Sequence, residues 1–335
     1  MSALPELRSL FRPTTSMTAA TINLTDAIRV SGVSHFYGSR QALRGLDLQI
    51  LAGEVFAFLG PNGGGKTTLF RVLSTLIPCQ QGEVTILGLN LRTQATDIRR
   101  RIGVVFQAPS LDKKLTVAEN IRFQAALYGL GGKLLRDRQQ AMMEQLGIAD
   151  RAQELTETLS GGLRRRVELA KGMIHHPRLL LLDEPSTGLD PGSRADLWRY
   201  LQRLRDEAGV TIVLTTHLLD EAERADRIAI LDQGSLVALD RPDHLRASIG
   251  GDTITIETED ANALAAAICE RFDVNTDVVG GRVRLEQTDA GTWVAKLVEA
   301  FSDRIDSITL AKPTLEDVFI QKTGHRFWQE REGVA

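Results

Sequence analysis

The pattern of apolar and polar positions divides the chain into two textures. Before about residue 250, Val55-Phe56-Ala57-Phe58-Leu59, Leu179-Leu180-Leu181-Leu182 and Thr211-Ile212-Val213-Leu214 are continuously apolar or nearly so. Short runs of this kind suit parallel strands buried on both faces. Ser193 to Glu207 separates two of them and reads as a helix, so the alternation argues for an α/β core. Ile28 to Val33 and Leu43 to Ile50 are expected to be edge strands. Val84 to Leu87 and Ile102 to Phe106 are expected to be further short strands, with turn glycines nearby. Thr116 opens a mostly helical stretch running to about Asp150, with capping-box spacing at Thr116 and Glu119 and a break at Gly129 to Gly132.

After Gly250-Gly251 the runs shorten and alternate. Thr253 to Thr258 reads as a strand with Ile254 and Ile256 on one face, and Ala261 to Phe272 as a helix. Val274 to Val279 and Arg282 to Glu286 flank Gly280-Gly281 as a hairpin. Gly291 to Phe301 reads as a helix and Ile305 to Leu310 as a strand. The order β-α-β-β-α-β predicts a small α+β, ferredoxin-like unit. A last helix is expected from Thr314, which has capping-box spacing with Asp317. The expected organisation is an extension without fixed structure over 1–26 (with Met17 as an alternative start), a first domain over 27–249, an accessory domain over 250–324 and a tail over 325–335.

Composition adds limits. The chain has 335 residues, 43% hydrophobic and 25% charged, the balance of a globular protein with a full core. A net charge of −3 demands no nucleic-acid partner. Cys79 and Cys269 have no metal-site or redox spacing and read as reduced structural thiols. No apolar run approaches the roughly 20 residues of a membrane span.

The chemistry starts at Gly60-Pro61-Asn62-Gly63-Gly64-Gly65-Lys66-Thr67-Thr68, which matches the G-x-x-x-x-G-K-[ST] phosphate-binding loop between an apolar strand and a helix. Glycines let backbone N–H groups curl around an anion, and the helix N-terminus adds donors and positive dipole. Lys66 is expected to reach the β- and γ-phosphates, and the Thr67 hydroxyl to ligate Mg²⁺. A plain glycine-rich turn would not need the lysine, the hydroxyl and both flanking elements together. Asp183 and Glu184 follow four leucines; Asp183 is expected to hold Mg²⁺ through water and Glu184 to act as general base on the attacking water.

Leu159-Ser160-Gly161-Gly162-Leu163-Arg164-Arg165-Arg166 resembles the L-S-G-G-Q signature of ABC ATPases. Gln107 resembles their Q-loop, Ser186-Thr187-Gly188-Leu189-Asp190 their D-loop, His217 their switch histidine, and Tyr37 the aromatic residue that stacks on adenine. These pieces stand in family order and span roughly Ile28 to Ile249. The resemblance implies a P-loop domain with a mixed-sheet core and a helical subdomain at about 108–170. It implies ATP and Mg²⁺ as cofactors, with Thr67, Gln107 and Asp183 at the metal. It also implies a head-to-tail dimer, homomeric before heteromeric, in which Ser160 and the amides of Gly161 and Gly162 face the γ-phosphate bound by the other subunit, with Asp190 of the D-loop among the nucleotide-site residues. Leu163 departs from the signature glutamine. With Lys312-Pro313-Thr314-Leu315-Glu316-Asp317-Val318-Phe319, it resembles the daunorubicin/doxorubicin-resistance ATPase group of type-2 ABC exporters. That group implies a separate membrane permease, docked by the stretch Thr116 to Asp150 beside the Q-loop, at the cytoplasmic face of the membrane.

Alternatives differ in class. A soluble ABC ATPase acting on ribosomes or DNA ordinarily has two fused cores or a long coiled coil, and this chain has neither pattern. The accessory domain reads as a dimer-stabilising appendage or as a ligand sensor, the former preferred. Arg99-Arg100-Arg101 is expected at a helix end, and Arg164-Arg165-Arg166 at the start of the signature helix near ATP charge. Neither interleaves with aromatics as a nucleic-acid surface does.

Overall fold

A computed structural model of the chain describes residues 26–327. The extension expected over 1–26 lies, Asp26 apart, outside the described residues, as does the tail beyond Phe327.

A six-stranded sheet forms the centre, in the order Ser235–Asp240, Arg227–Asp232, Val55–Leu59, Thr211–Thr216, Leu179–Asp183, Ile102–Val105. Its pairings are parallel except at the Ser235–Asp240 edge, which is antiparallel. Every residue of Val55–Leu59, Leu179–Asp183 and Thr211–Thr216 is buried. This two-sided burial explains the unbroken apolar runs. The strand period survives as a division between two apolar layers. Leu180, Leu182, Ile212 and Leu214 face one layer; Leu179, Leu181, Val213, Phe56 and Phe58 face the other. Helices Val117–Leu127, Gly161–Met173 and Pro191–Ala208 close the first layer through residues such as Ile121, Val167 and Leu201. Helix Lys66–Leu73 and a four-stranded antiparallel sheet close the second.

That second sheet runs Arg40–Leu51, Asp26–Tyr37, Gln81–Ile86, Leu89–Asn90. Ile28 to Val33, expected at an edge, belongs instead to an inner strand: Val30 pairs with Leu48 on one side and Val84 on the other. Its alternating pattern reflects one solvent-facing side, with Arg29 and Ser31 exposed, and not an unpaired edge. Arg40–Leu51 does lie at the edge.

The stretch after Thr116 forms helices Val117–Leu127 and Gly132–Gln145, separated at the expected glycines. The Glu119 amide donates to Thr116 Oγ1, and the Thr116 amide donates back to the Glu119 carboxylate at 2.9 Å. Behind this layer the His175 ring stacks on Tyr128 at 3.7 Å and its Nε2–H donates to the Ile102 carbonyl at 2.9 Å. Burial pushes His175 down to about 4 and His176 to about 3. Both are therefore neutral in the folded chain, whereas unfolded histidines take up protons near pH 6.5. The sign follows from linkage: below pH 6.5 the unfolded state binds more protons, so stability falls as pH drops from about 6.5 towards 4. The urea midpoint of the full chain is expected to fall steadily from pH 7 to pH 5, and His175→Phe should flatten that slope. An unchanged slope in His175→Phe would show that His175 is not neutral in the fold.

The C-terminal strands form a third, wholly antiparallel sheet in the order Asp277–Val279, Arg282–Gln287, Asp252–Glu257, Ser307–Ala311. Helices Ala261–Phe272 and Ala290–Phe301 cover the face carrying Ile254, Ile256, Val283 and Leu285. This is the strand order of a split βαβ unit. The last helix, Leu315–Thr323, behaves differently. Leu315, Val318, Phe319 and Phe327 join the apolar layer of the central sheet, together with Leu245 and Ile249. On the opposite side, Asp317 Oδ1 pairs with Arg284 of the accessory sheet at 2.7 Å, and Asp317 Oδ2 accepts from the Thr314 amide at 2.6 Å. The chain thus leaves the main body at residue 250 and returns to it for its final helix.

Candidate functional site

The parallel strands all end on one side of the central sheet. The phosphate loop follows Leu59, Gln107 follows Val105, Glu184 follows Asp183, and His217 follows Thr216. Loops at the carboxyl ends of parallel strands are where α/β sheets hold ligands. Helix Lys66–Leu73 starts from Gly65, whose φ of 103° L side chains rarely adopt. A Cβ at Gly60 would stand 2.2 Å from the Leu231 carbonyl oxygen, so only glycine lets the loop pass so close to that strand. The buried Lys66 Nζ donates to the carbonyls of Gly60 at 2.7 Å and Pro61 at 3.0 Å, which holds it under the loop. Burial lowers its pKa, opposed by the carboxylates of Glu184 and Asp183. A cavity of about 160 Å³ is lined by Tyr37, Asn62, Gly63, Gly64, Gly65, Lys66, Thr67, Thr68 and Glu184, together with Arg40 and Ala42.

Asp183 is buried and accepts from Thr215 Oγ1 at 2.6 Å. Burial raises its carboxyl, which the Thr215 bond opposes and Glu184 reinforces. A buried carboxylate in electrostatic reach of Lys66 at the helix start supplies hard oxygen donors, the kind Mg²⁺ takes in combination with phosphates and water. Among the described residues no cluster of three or more His, Cys, Asp or Glu forms a closed cage. That partial shell fits a metal brought in with a nucleotide. Glu184 has φ 43°, a strained conformation for a non-glycine residue. Its amide donates to Thr215 Oγ1 at 3.0 Å, and its carboxylate accepts from Gln107 Nε2 at 3.0 Å and Thr187 Oγ1 at 3.2 Å. His217 Nδ1 lies 3.2 Å from the other carboxylate oxygen.

Residues 43–187 match the family model described as ABC transporter, and 241–323 the one described as ATP-binding protein DrrA1-3-like, C-terminal domain. The chain is 38% identical over 309 residues to the daunorubicin resistance ATP-binding protein DrrA2 of Streptomyces coeruleorubidus, covering 90% of this chain and 96% of that protein. It is 36% identical to the Nod factor export ATP-binding protein I of Rhizobium meliloti (strain 1021), covering 90% and 89% respectively. The chain belongs to the ABC transporter ATP-binding family. This ABC ATPase also resembles the dimeric post-hydrolysis structure of the ATP-binding cassette MJ0796 bound to ADP and Pi. The TM-score is 0.59 at 28% identity, covering 64% of this chain and 98% of that one. ATP binding and hydrolysis are the activities of the family.

The remaining predicted residues of this ABC ATPase stand outside the phosphate-loop cavity. Ser160 caps helix Gly161–Met173 by accepting from the Leu163 amide at 3.3 Å. Asp190 caps helix Pro191–Ala208, accepting from the Ser193 amide and hydroxyl, and those bonds lower its pKa. Gly162 packs so near Ser193 that a Cβ would meet its Oγ at 2.5 Å. The arginine run opens the signature helix as expected, but its three side chains do not act as one cluster. Arg164 Nε donates to the Leu159 carbonyl, Arg166 pairs with Asp196 at 2.6 Å, and Arg165 is buried. A helix turns successive residues by about 100°, so three adjacent arginines take three partners. Sequence reasoning also missed Thr215, which bridges Asp183 and the Glu184 amide. It missed the buried Glu221, which accepts from Ser186 and from Thr216 Oγ1, too. The Thr215-Thr216 pair before His217 was the available signal.

Proposed function

We propose that this chain is the ATP-hydrolysing subunit of an exporter, working as a homodimer on a separate membrane permease at the cytoplasmic face of the membrane. The observation carrying this reading is the division of the predicted site. Lys66 and Glu184 line the phosphate-loop cavity, Gln107 and His217 meet the Glu184 carboxylate, and Asp183 acts electrostatically on Lys66, whereas Ser160, Gly161, Gly162 and Asp190 stand apart from this group. Two copies arranged head to tail bring the second set to the first copy's nucleotide.

In this reading Tyr37 stacks on adenine, and the loop Gly60 to Thr68, through its backbone N–H groups (Pro61 has none) and Lys66, binds the phosphates. Thr67, Gln107 and Asp183 hold Mg²⁺, which supplies charge neutralisation at the β- and γ-phosphates. Glu184 accepts the proton of the attacking water, and His217 keeps that water in line. Ser160 and the amides of Gly161 and Gly162 close on the γ-phosphate from the second subunit. The boundary near residue 250 separates the cassette from the accessory sheet, whose last helix is shared with the main body.

A permease is supported by a groove of about 840 Å³ lined by Thr96, Arg99, Arg100, Tyr128, His175 and the exposed Leu127, with the exposed Phe123 one turn earlier on the same helix as Leu127. Among the described residues, no helix is long and apolar enough to cross a membrane; in this reading the permease supplies the spans. The relatives' names support export and leave the cargo open. Co-purification from detergent extracts tests the partner: a polytopic membrane protein retained with the chain supports export, whereas ribosomes or DNA would replace it. Ser160→Arg tests the dimer, because its side chain fills the space meant for the partner's γ-phosphate. ATPase activity should fall at least about tenfold. Leu163→Gln should change it only a few-fold, since one neutral hydrogen bond nets about 0.5–1.5 kcal/mol. The reverse ranking would sink the sandwich reading.

A further inference from the structure

Helix Gly161–Met173 presents Arg165, Glu168 and Lys171 at intervals of three; all three hold the segment 106–110, and Arg165 alone also reaches the segment 183–185. Arg165 and Glu168 are both more than nine-tenths buried and pair at 2.7 Å. The Arg165 guanidinium donates to three backbone carbonyls: Nε to Pro185 at 2.8 Å, Nη2 to Asp183 at 3.3 Å and Nη1 to Phe106 at 2.8 Å. Glu168 accepts from the Ser110 amide at 2.9 Å, and Lys171 donates to the Ser110 carbonyl. The identity of those carbonyls is telling. Asp183 and Pro185 flank Glu184 on either side, and Phe106 immediately precedes Gln107. Glu184 and Gln107 in turn hydrogen-bond each other across the site at 3.0 Å.

We infer that Arg165 is a positioning residue for hydrolysis, fixing the backbone on both sides of Glu184 and just before Gln107 and tying their alignment to the signature helix. The inference rests on the proposed role of Glu184 as general base. Glu184 holds φ 43°, a conformation that persists only where its surroundings over-determine it. Thr215 restrains its amide from one side, and Arg165 restrains the adjoining peptides from the other. The rigid fork of a guanidinium reaches several acceptors in one plane; an ammonium of similar charge cannot. The signature helix that serves one nucleotide is thereby joined to the base and Q-loop that serve another. A shift of the helix would move the base that hydrolyses the chain's own ATP.

The test uses the full-length chain with Mg-ATP. Arg165→Lys should keep ATP affinity and KM within about threefold of wild type. Its kcat should fall at least about tenfold, since misplacing a reacting group by about 1 Å can cost about 10²-fold. The double variant Arg165→Met, Glu168→Met removes the ion pair as a unit, so no buried charge is left unpaired. It should melt closer to wild type than Arg165→Met alone, yet keep the low kcat. If kcat returns with stability in the double variant, or Arg165→Lys turns over normally, Arg165 is a core brace and the inference is overturned. Normal turnover by Glu184→Gln would instead overturn the general-base role beneath it, a separate result.

Discussion

Glu184→Gln is expected to lower ATP turnover by at least about 100-fold while leaving ATP binding within a few-fold of wild type. The carboxylate sits where Gln107 Nε2, Thr187 Oγ1 and His217 Nδ1 converge. Glutamine keeps the length and one acceptor oxygen for those partners. It loses the ability to take a proton, and a positioned general base contributes about 10²–10⁴-fold. Lys66 and the loop amides do not depend on that proton, so nucleotide should still bind. Because the γ-phosphate is then retained, ATP should continue to join two copies through Ser160, Gly161 and Gly162. Phosphate release, nucleotide binding and size-exclusion chromatography with Mg-ATP check the three parts separately. A variant that hydrolyses at the wild-type rate removes Glu184 from the mechanism. One that binds ATP, fails to hydrolyse and stays monomeric keeps the base but removes the sandwich dimer.

The residues of this site were legible because each motif combines a residue type with a position at the end of an apolar strand. Leu179 to Leu182 announce a doubly buried strand, and Asp183-Glu184 can then lie only at its carboxyl end. The strands and helices after residue 250 were legible for a similar reason, since each carries its own alternation or helical spacing. What could not be read is direction. Three consecutive arginines announce charge, but only the helix phase sends Arg165 inward on the side of Glu168, Leu169 and Gly172. The spacing of Arg165 and Glu168 among apolar neighbours was the usable hint of a buried pair. For Asp26–Tyr37, one-sided burial and an unpaired edge leave the same pattern in a sequence, and only the pairing with Gln81–Ile86 separates them. The last helix raises the same difficulty at larger scale. The spacing of Leu315, Val318 and Phe319 declares an apolar face without saying which core receives it.

That core is the main one, and the consequence is a large effect from a small change. Phe319 is fully buried and makes edge-on ring contacts with Phe327 at 4.9 Å and His325 at 5.2 Å. Phe319→Ala should cost about 3–5 kcal/mol, the usual range for a buried phenylalanine in a core that cannot collapse around the loss. Truncation after Ile249 is more severe. It removes Leu315, Val318, Phe319 and Phe327 together and uncovers Leu245 and Ile249. Although every nucleotide motif is retained, the truncated chain should be poorly soluble or melt far below the full chain, because uncovered apolar surface of this kind drives aggregation. Arg284→Met should be milder: it cuts the tie from Asp317 to the accessory sheet but leaves the Thr314 cap and the apolar contacts in place. Thermal melts of the three variants, with ATP binding measured on whatever remains soluble, rank these contributions. A monodisperse chain ending at Ile249 that melts with the wild type would show that the final helix rests on the cassette without stabilising it. Should Arg284→Met prove as damaging as Phe319→Ala, the accessory sheet, and not the apolar face of the helix, is what keeps Leu315–Thr323 in place.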